Sequence, residues 1–464
     1  MADVRLEALR ILSRIDKSRD FAQDLIAECI VENALDPRDA ALLAEIVYGA
    51  VRHRLTLDSI VSTFSKTPLR KLDAKCLHIL RMGLYQILFL DRVPGRAAVD
   101  ESVKLAPRAG LSSAKGFINA VLRASLRAIE NARAGAPGDP RNSIYIRENT
   151  WAVFRKPVLP DPNDTPAHIA AAYSHPQWLV ERWLGRFGEE QTVSILRANN
   201  ETPPVTVRAN RLKTTRPDLL RRLEEEGIQA AEGKLPLSVQ LGPGAKIAAL
   251  ASFQEGLFQV QDETSMHAAV LLDPKPEERV LELCAAPGGK TTDLAERMED
   301  RGIVVALDRS IPRLRKVKEN VDRLGLHCVY CLAADGTRRW WREGCAFDRV
   351  LVDAPCSNTG VLARRVEVRW RLRPQDIEEL AELQTALLLT AAEVLRPGGL
   401  LAYGTCSIEE EENERVVAHA IETTGLVKRE ERLFLPRNGA AGGYVALLGS
   451  GIDVDPLNAD IKKV

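Results

Sequence analysis

Residues 280–291 read VLELCAAPGGKT, a short apolar run that passes directly into a turn of small residues. The run at 280–283 has the length and composition of a buried strand. It leads into Cys284, Ala285, Ala286, Pro287, Gly288, Gly289 and Lys290, and a helix is expected from Thr292. Glycines at a strand-to-helix turn let a ligand approach both the backbone and the helix N-terminus.

Downstream, further apolar runs stand at 303–307, 329–333, 350–352 and 400–403, with helical patterns between most of them. Strands alternating with helices imply a parallel sheet covered on both faces, an α/β domain from about residue 256. Runs near Leu433 and at 444–448 are candidates to extend it. Asp308 closes the second strand, nineteen residues beyond Gly289, where an acid can accept hydrogen bonds from ribose hydroxyls. Asp335 and Asp353 close the third and fourth. Three carboxylates at three carboxyl ends line the crevice in which open α/β sheets bind ligands. The Gly-Gly-Lys-Thr ending is close to a phosphate-binding loop, but that motif needs a glycine where Cys284 stands. The G-x-G-x-x-G of dinucleotide enzymes is also absent. A nucleoside cofactor fits, and S-adenosyl-L-methionine fits best.

The fourth strand ends in Asp353-Ala354-Pro355-Cys356-Ser357 and the fifth in Gly404-Thr405-Cys406-Ser407. These strands are neighbours in a doubly wound sheet, so Cys356 and Cys406 should face one another across the crevice. Ser407 and Glu410 have the spacing of a capping box, which would set Cys406 before a helix N-terminus, where the dipole favours a thiolate. Either cysteine alone would pass for an inert buried thiol. Two at adjacent strand ends suit one reaction. C5 of cytosine is a poor nucleophile until a thiolate adds at C6; after methyl transfer a base removes the C5 proton and the thiolate leaves. Amino-group methyltransferases need no thiol and usually carry an aromatic residue where Cys356 stands. Cys328 and Cys331 also form C-x-x-C. They fall in a strand, where positions three apart point to opposite faces, and no second pair completes a zinc site. No metal is expected.

Upstream, residues 1–130 are expected to be an all-α bundle. Val4, Ala8, Ile11 and Ile15 recur at helical spacing, as do Leu77, Leu80, Leu84 and Ile87. Asp36-Pro37-Arg38-Asp39 reads as an N-cap, a proline at the first helical position and an acidic third residue. Prolines and small polar residues accumulate over 131–170, a linker or insert. A small α+β module is expected at 171–255 and the α/β domain at 256–464.

The 464 residues carry 64 basic and 64 acidic side chains, and this neutral total hides an asymmetry. From Lys66 to Arg127 twelve Lys/Arg face four Asp/Glu, whereas the first 65 residues hold eight basic and eleven acidic side chains. A phosphate-contacting face would be basic in this way, and so would an unevenly charged solvated surface. The start, MADVRLEALRIL, has no signal-like core, no apolar run approaches membrane-spanning length, and eight irregularly spaced cysteines suggest reduced thiols. A cytoplasmic location is expected.

The stretches FQVQDETS, LELCAAPGGKT, VLVDAPCSNTG, VRW, LRPGG and YGTCSIEEEENE resemble the Sun family of RNA cytosine-C5 methyltransferases. The segments VYGAVR, LRMGLYQILFL and GFINAVLR resemble the NusB fold, and SHPQWLVERW resembles the start of the small module. The resemblance implies an RsmB-type architecture acting on small-subunit ribosomal RNA: a class I, Rossmann-like methyltransferase domain behind a NusB-like RNA-binding bundle and a small α+β module. It implies Cys406 as nucleophile, Cys356 as the thiol that helps release product, and the 284–290 turn with Asp308, Asp335 and Asp353 as the cofactor site. Asp353 would also contact the cytosine ring. RNA is the implied partner, and a monomer is expected, with no membrane association. Gly404 stands where the family commonly has serine, the proline often found before the acidic run is missing, and the tail after Gly443 is unusual. Two rivals remain: a DNA cytosine-C5 enzyme, in which Cys356 would attack and Cys406 would be idle, and an RNA-binding assembly factor with a vestigial site.

Overall fold

The computed structural model describes residues 3–450, so the end of the unusual tail lies outside the described residues. The described chain divides into two compact units. One comprises the residues through Asn200 together with Arg364–Arg371; the other comprises Glu201–Ala363 and the residues from Leu372 on.

The first unit begins with seven helices: α1 Val4–Ile15, α2 Ala22–Glu32, α3 Pro37–Arg52, α4 Arg54–Phe64, α5 Ala74–Phe89, α6 Gly95–Arg108 and α7 Lys115–Ala128. As expected, Asp36 caps α3 by accepting from the Arg38 and Asp39 N–H groups, with Pro37 in the first turn. The apolar stripes Val4, Ala8, Ile11, Ile15 and Leu80, Leu84, Ile87 are buried in one aliphatic core. The proline-rich segment after α7 is folded. Strands β1 Ile129–Ala134, β2 Ser143–Arg147 and β3 Thr150–Phe154 form an antiparallel sheet in the order β1-β3-β2. Ile144, Ala152 and Phe154 join the helical core. Helices α8 Thr165–Tyr173 and α9 Gln177–Asn200 follow, the latter broken at Gly188, whose φ is 75°.

The return segment Arg364–Arg371, ending in the short helix Val368–Arg371, completes this unit. Arg369 is fully buried; its guanidinium donates to the carbonyls of Arg52, Ser174 and Asn199 and to Asn200 Oδ1. Trp370 Nε1 donates to Val51 O at 2.7 Å. The V-R-W stretch is thus an internal tie of the helical unit.

The second unit opens with a four-stranded sheet, order β5-β6-β4-β7: β4 Val205–Ala209, β5 Ala230–Glu232, β6 Ser238–Leu241 and β7 Phe258–Val260. The helix Arg216–Glu225 buries Leu219 and Leu223 in its small core. After the helix Glu263–Leu272 comes a seven-stranded sheet, order β10-β9-β8-β11-β12-β14-β13. Its strands are β8 Arg279–Leu283, β9 Ile303–Asp308, β10 Val329–Ala333, β11 Phe347–Asp353, β12 Leu395–Thr405, β13 Val427–Phe434 and β14 Gly443–Gly449. The first five are parallel; β14 enters antiparallel beside β12. Both late apolar runs therefore extend the sheet. Its two faces bury separate apolar clusters, around Leu351 and Ala402 on one side and Val350, Val352 and Tyr403 on the other. The chain order changes direction at β8 and β11, the switch point at which this architecture binds ligands.

Candidate active site

The turn after β8 is built from backbone conformation. Cys284 and Gly288 both have positive φ, 60° and 100°, and the helix Gly289–Arg297 starts at Gly289, three residues earlier than the sequence pattern suggests. A Cβ on Gly288 would press within 3.1 Å of the Val317 backbone, so left-handed geometry and close packing both require glycine. Asp308, 2% exposed at the end of β9, accepts from Ser310 N–H at 2.9 Å and Ala286 N–H at 3.4 Å. Arg313 donates to Ala286 O and lies 3.4 Å from Asp308 Oδ2. Lys290 Nζ lies 2.7 Å from Asp353 Oδ2. Burial pulls the Lys290 ammonium down, but Asp353, Glu282 and Cys406 together raise it above its ordinary value. Glu282, fully buried in β8 and bonded by Thr291 Oγ1, is pushed up to about 8 by burial. Asp335 stands two residues past β10, capping the next turn through Thr337 N–H at 3.0 Å.

The helix behind this turn is braced by charge. Arg208 of β4, 1% exposed, donates to Glu296 at 2.7 Å, to Thr292 Oγ1 at 3.1 Å and to Gln261 at 2.8 Å. Burial raises Glu296 to about 7 despite that partner.

Adjacent parallel strands β11 and β12 end in register, Asp353 opposite Gly404. The two thiols follow, with Cys356 Sγ 3.1 Å from Cys406 Sγ. Cys406 Sγ also lies 3.2 Å from Asn358 Oδ1. The Cys356 thiol is held well above its ordinary range, first by its hydrogen bond with Cys406, then by burial. Gly360 lets the turns approach: its N–H donates to Cys406 O at 2.9 Å, and a Cβ there would stand 2.6 Å from the Gly442 backbone and 2.8 Å from Cys406 O.

One expectation is corrected. Cys406 does not precede a helix N-terminus: the chain stays irregular until the helix Glu414–Thr424. The Ser407 hydroxyl accepts from Glu409 N–H at 3.0 Å and donates to Glu412, so it cannot cap a helix, and Glu410 pairs instead with Arg415.

The sequence also did not single out the polar cluster beneath the thiols. Ser357 and Ser407, each following a cysteine, place their hydroxyls 3.1 Å apart, and both donate to buried Glu412. Glu412 further accepts from Ser357 N–H at 2.8 Å and Gln384 Nε2 at 3.0 Å. The repeated Cys-Ser pair was the available signal. Cys328 and Cys331 sit apart from this cluster in burial, the first buried and the second exposed. Among the described residues no group of three or more His, Cys, Asp or Glu could hold a metal, and no helix is long and apolar enough to cross a membrane.

Three family models match the chain: the NusB family at residues 2–127, an RsmF/B-like ferredoxin-like domain at 175–247, and the 16S rRNA methyltransferase RsmB/F model at 269–443. The ribosomal RNA small subunit methyltransferase B of Erwinia tasmaniensis is 34% identical over 458 residues, 97% of this chain and 99% of the relative. That of Pseudomonas putida is 36% identical over 386 residues, 82% of this chain and 81% of the relative. The crystal structure of PH0851 superposes with a TM-score of 0.76 at 26% identity, covering 96% of this chain and 99% of its own. A methyltransferase homolog protein from Pyrococcus horikoshii gives a TM-score of 0.55 at 29% identity over 62% of this chain and 99% of its own. With a NusB-type helical unit, a ferredoxin-like module and a methyltransferase sheet in one chain, and a small-subunit methyltransferase B matching 97% of its length, the protein belongs to the RsmB/F family of 16S rRNA methyltransferases.

Proposed function

We propose that the protein methylates C5 of a cytosine in small-subunit ribosomal RNA, with Cys406 as nucleophile and Cys356 as the thiol that helps release the product. The observation that carries this reading is the pair of thiols 3.1 Å apart at the ends of adjacent parallel strands. The names of the relatives support ribosomal RNA as the substrate.

S-adenosyl-L-methionine would supply an electrophilic methyl group on sulfonium. The donor set suits it: Asp308 is aligned by two backbone N–H groups beside a turn whose positive-φ residues leave the backbone open to a nucleoside. Cys284 to Lys290, with Asp308, Asp335 and Asp353, would hold it. Lys290 is held against Asp353 at 2.7 Å, and Cys406 is among the groups that raise its ammonium. The thiolate adds to cytosine C6, making C5 enamine-like; once C5 carries the methyl group a base takes the C5 proton, and the C–H electrons re-form the ring double bond as the C6–S bond breaks to return the thiolate. The Cys356 thiol, kept protonated beside Cys406, is placed to assist that last step. The target base must leave its stack to reach the crevice, which looped RNA permits most cheaply.

RNA affinity is assigned in part to the basic span of the helical unit. Lys104, Lys115 and Arg123 line a shallow depression of about 400 Å³, whereas Arg81 is buried and paired to Asp58 through two hydrogen bonds of 2.7 Å. Charge reversal at Lys104, Lys115 and Arg123 should weaken binding of ribosomal RNA fragments and lower the salt slope by about 3. An unchanged slope would assign this face another role.

The test of the chemistry is a division of labour. Cys406→Ala should form no adduct and transfer no methyl group. Cys356→Ala should accumulate a protein–RNA band on denaturing gels, dependent on S-adenosyl-L-methionine. If Cys406→Ala traps RNA and Cys356→Ala is inert, the roles are reversed and the chemistry is that of the DNA enzymes.

A further inference from the structure

We propose that Glu412 is a positioning residue for the methyl-transfer reaction, its one carboxylate gathering the hydroxyls of Ser357 and Ser407 and so fixing the separation of the two thiols. This rests on the reading that Cys406 and Cys356 share the chemistry. Each serine directly follows a cysteine, so the hydroxyl pair and the thiol pair are two rungs between the same two turns. Both rungs measure 3.1 Å, and the carboxylate closes the ladder beneath the hydroxyls.

Glu412 is itself held from three directions. Ser357 N–H belongs to the turn after β11. Gln384, in the helix Pro374–Glu393, donates both to Glu412 and to Pro355 O at 2.9 Å. Tyr403 of β12 donates its hydroxyl proton to the Glu412 carbonyl at 2.5 Å. The four donors to the carboxylate are two hydroxyls, a backbone N–H and an amide; none carries a charge. A group bonded in this way is fully satisfied only as an acceptor at every lone pair. Glutamine at 412 would turn one acceptor into a donor, so the donors converging there must rearrange and the hydroxyl rung is no longer fixed from below.

The carboxylate also acts on the thiols at a distance. The groups around Cys356 are Cys406, Glu412 and the Tyr403 hydroxyl, with the backbone N–H of Asn358 acting the other way. After the Cys406 hydrogen bond and burial, the charges of Cys406 and Glu412 further discourage a thiolate at Cys356. The proton therefore stays on Cys356, where the release step needs it.

The test uses the full-length protein. Glu412→Gln should lower kcat by about 100-fold, the scale on which small misplacements of reacting groups act, with KM for RNA and for S-adenosyl-L-methionine unchanged within about threefold. The second measurement is the pH dependence of iodoacetamide alkylation at Cys356, read by peptide mass spectrometry. Comparing Cys406→Ala with Cys406→Ala/Glu412→Gln, the midpoint should fall by about one pH unit, the shift expected when a nearby negative charge is removed. If Glu412→Gln does not fold, Ser407→Ala, which opens one rung and keeps the charge, should lower kcat by about tenfold at unchanged KM. Wild-type turnover in Glu412→Gln, or an unmoved alkylation midpoint, would overturn the proposal. The alkylation shift does not depend on which thiol attacks, so a reversal of the cysteine roles on denaturing gels would count against the mechanism and leave the placement of Glu412 standing.

Discussion

The turn after β8 and the pair of turns after β11 and β12 are held by different physics. The turn after β8 takes its shape from its own backbone, at Cys284 and Gly288, and the helix it launches is braced from behind by Arg208 against Glu296. The turns after β11 and β12 are gathered by hydroxyls, which converge beneath their thiols on the Glu412 carboxylate. A ligand that must be gripped by backbone groups calls for a rigid, locally encoded turn. Two sulfurs held 3.1 Å apart call for a fixed spacing between two remote segments, and side chains reaching across set it.

The largest effect should come from removing the brace. Arg208→Ala leaves Glu296 buried without its partner and should destabilise the protein by about 3–5 kcal/mol in denaturant melts. A loss under about 1 kcal/mol would mean that the turn after β8 stands on its backbone alone.

Next is a pH effect at the same turn. Burial raises Glu282 to about 8, so the stability linked to it is complete below its unfolded value near 4.5 and is lost as pH rises through about 8. Glu282→Gln does not titrate. Its melting temperature relative to the native chain should therefore climb between pH 5 and pH 8.5, by an amount equivalent to about 4 kcal/mol at most. A difference that stays flat with pH would show that Glu282 keeps an ordinary ionisation.

Gly360→Ala acts on the other side of the crevice. The new methyl meets the Gly442 backbone and Cys406 O, so methyl transfer should fall by about 100-fold while calorimetric affinity for S-adenosyl-L-methionine holds. Loss of both together would merge the two turns into one mechanical element. The smallest effect is the mirror case. Asp308→Ala removes an acceptor from the cofactor side and should weaken S-adenosyl-L-methionine binding by about 10- to 100-fold, with alkylation of both thiols unaltered.

The contrast between the turns explains what could be read in the amino-acid sequence. Residues 284–290 announce themselves because backbone-built turns need glycine and proline at fixed places, and the acids at strand ends follow by counting. The thiol pair was legible because β11 and β12 are neighbours. Glu412 was not: it is one of four successive glutamates, 409–412, and only the folded chain separates buried Glu409 and Glu412 from the other two. The same run misled the helix assignment, since Ser407 and Glu410 have capping spacing but Ser407 turns inward. In 131–170 the prolines outweighed the strand-like S-I-Y-I-R and T-W-A-V-F stretches, whose apolar residues complete the helical core.

The return segment Arg364–Arg371 has a consequence for the order in which the protein is made. Translation delivers α1 to α9 first, yet the guanidinium that satisfies the carbonyls of Arg52, Ser174 and Asn199 arrives only with residue 369. By then β8 to β11 have already left the ribosome. The helical unit, first to be synthesised, cannot be first to finish, because buried carbonyls without donors are costly until that arginine is in place. A protein that begins with a NusB-type bundle thus withholds its finished form until most of the methyltransferase sheet exists, and a chain cut short before residue 364 carries an unfinished bundle.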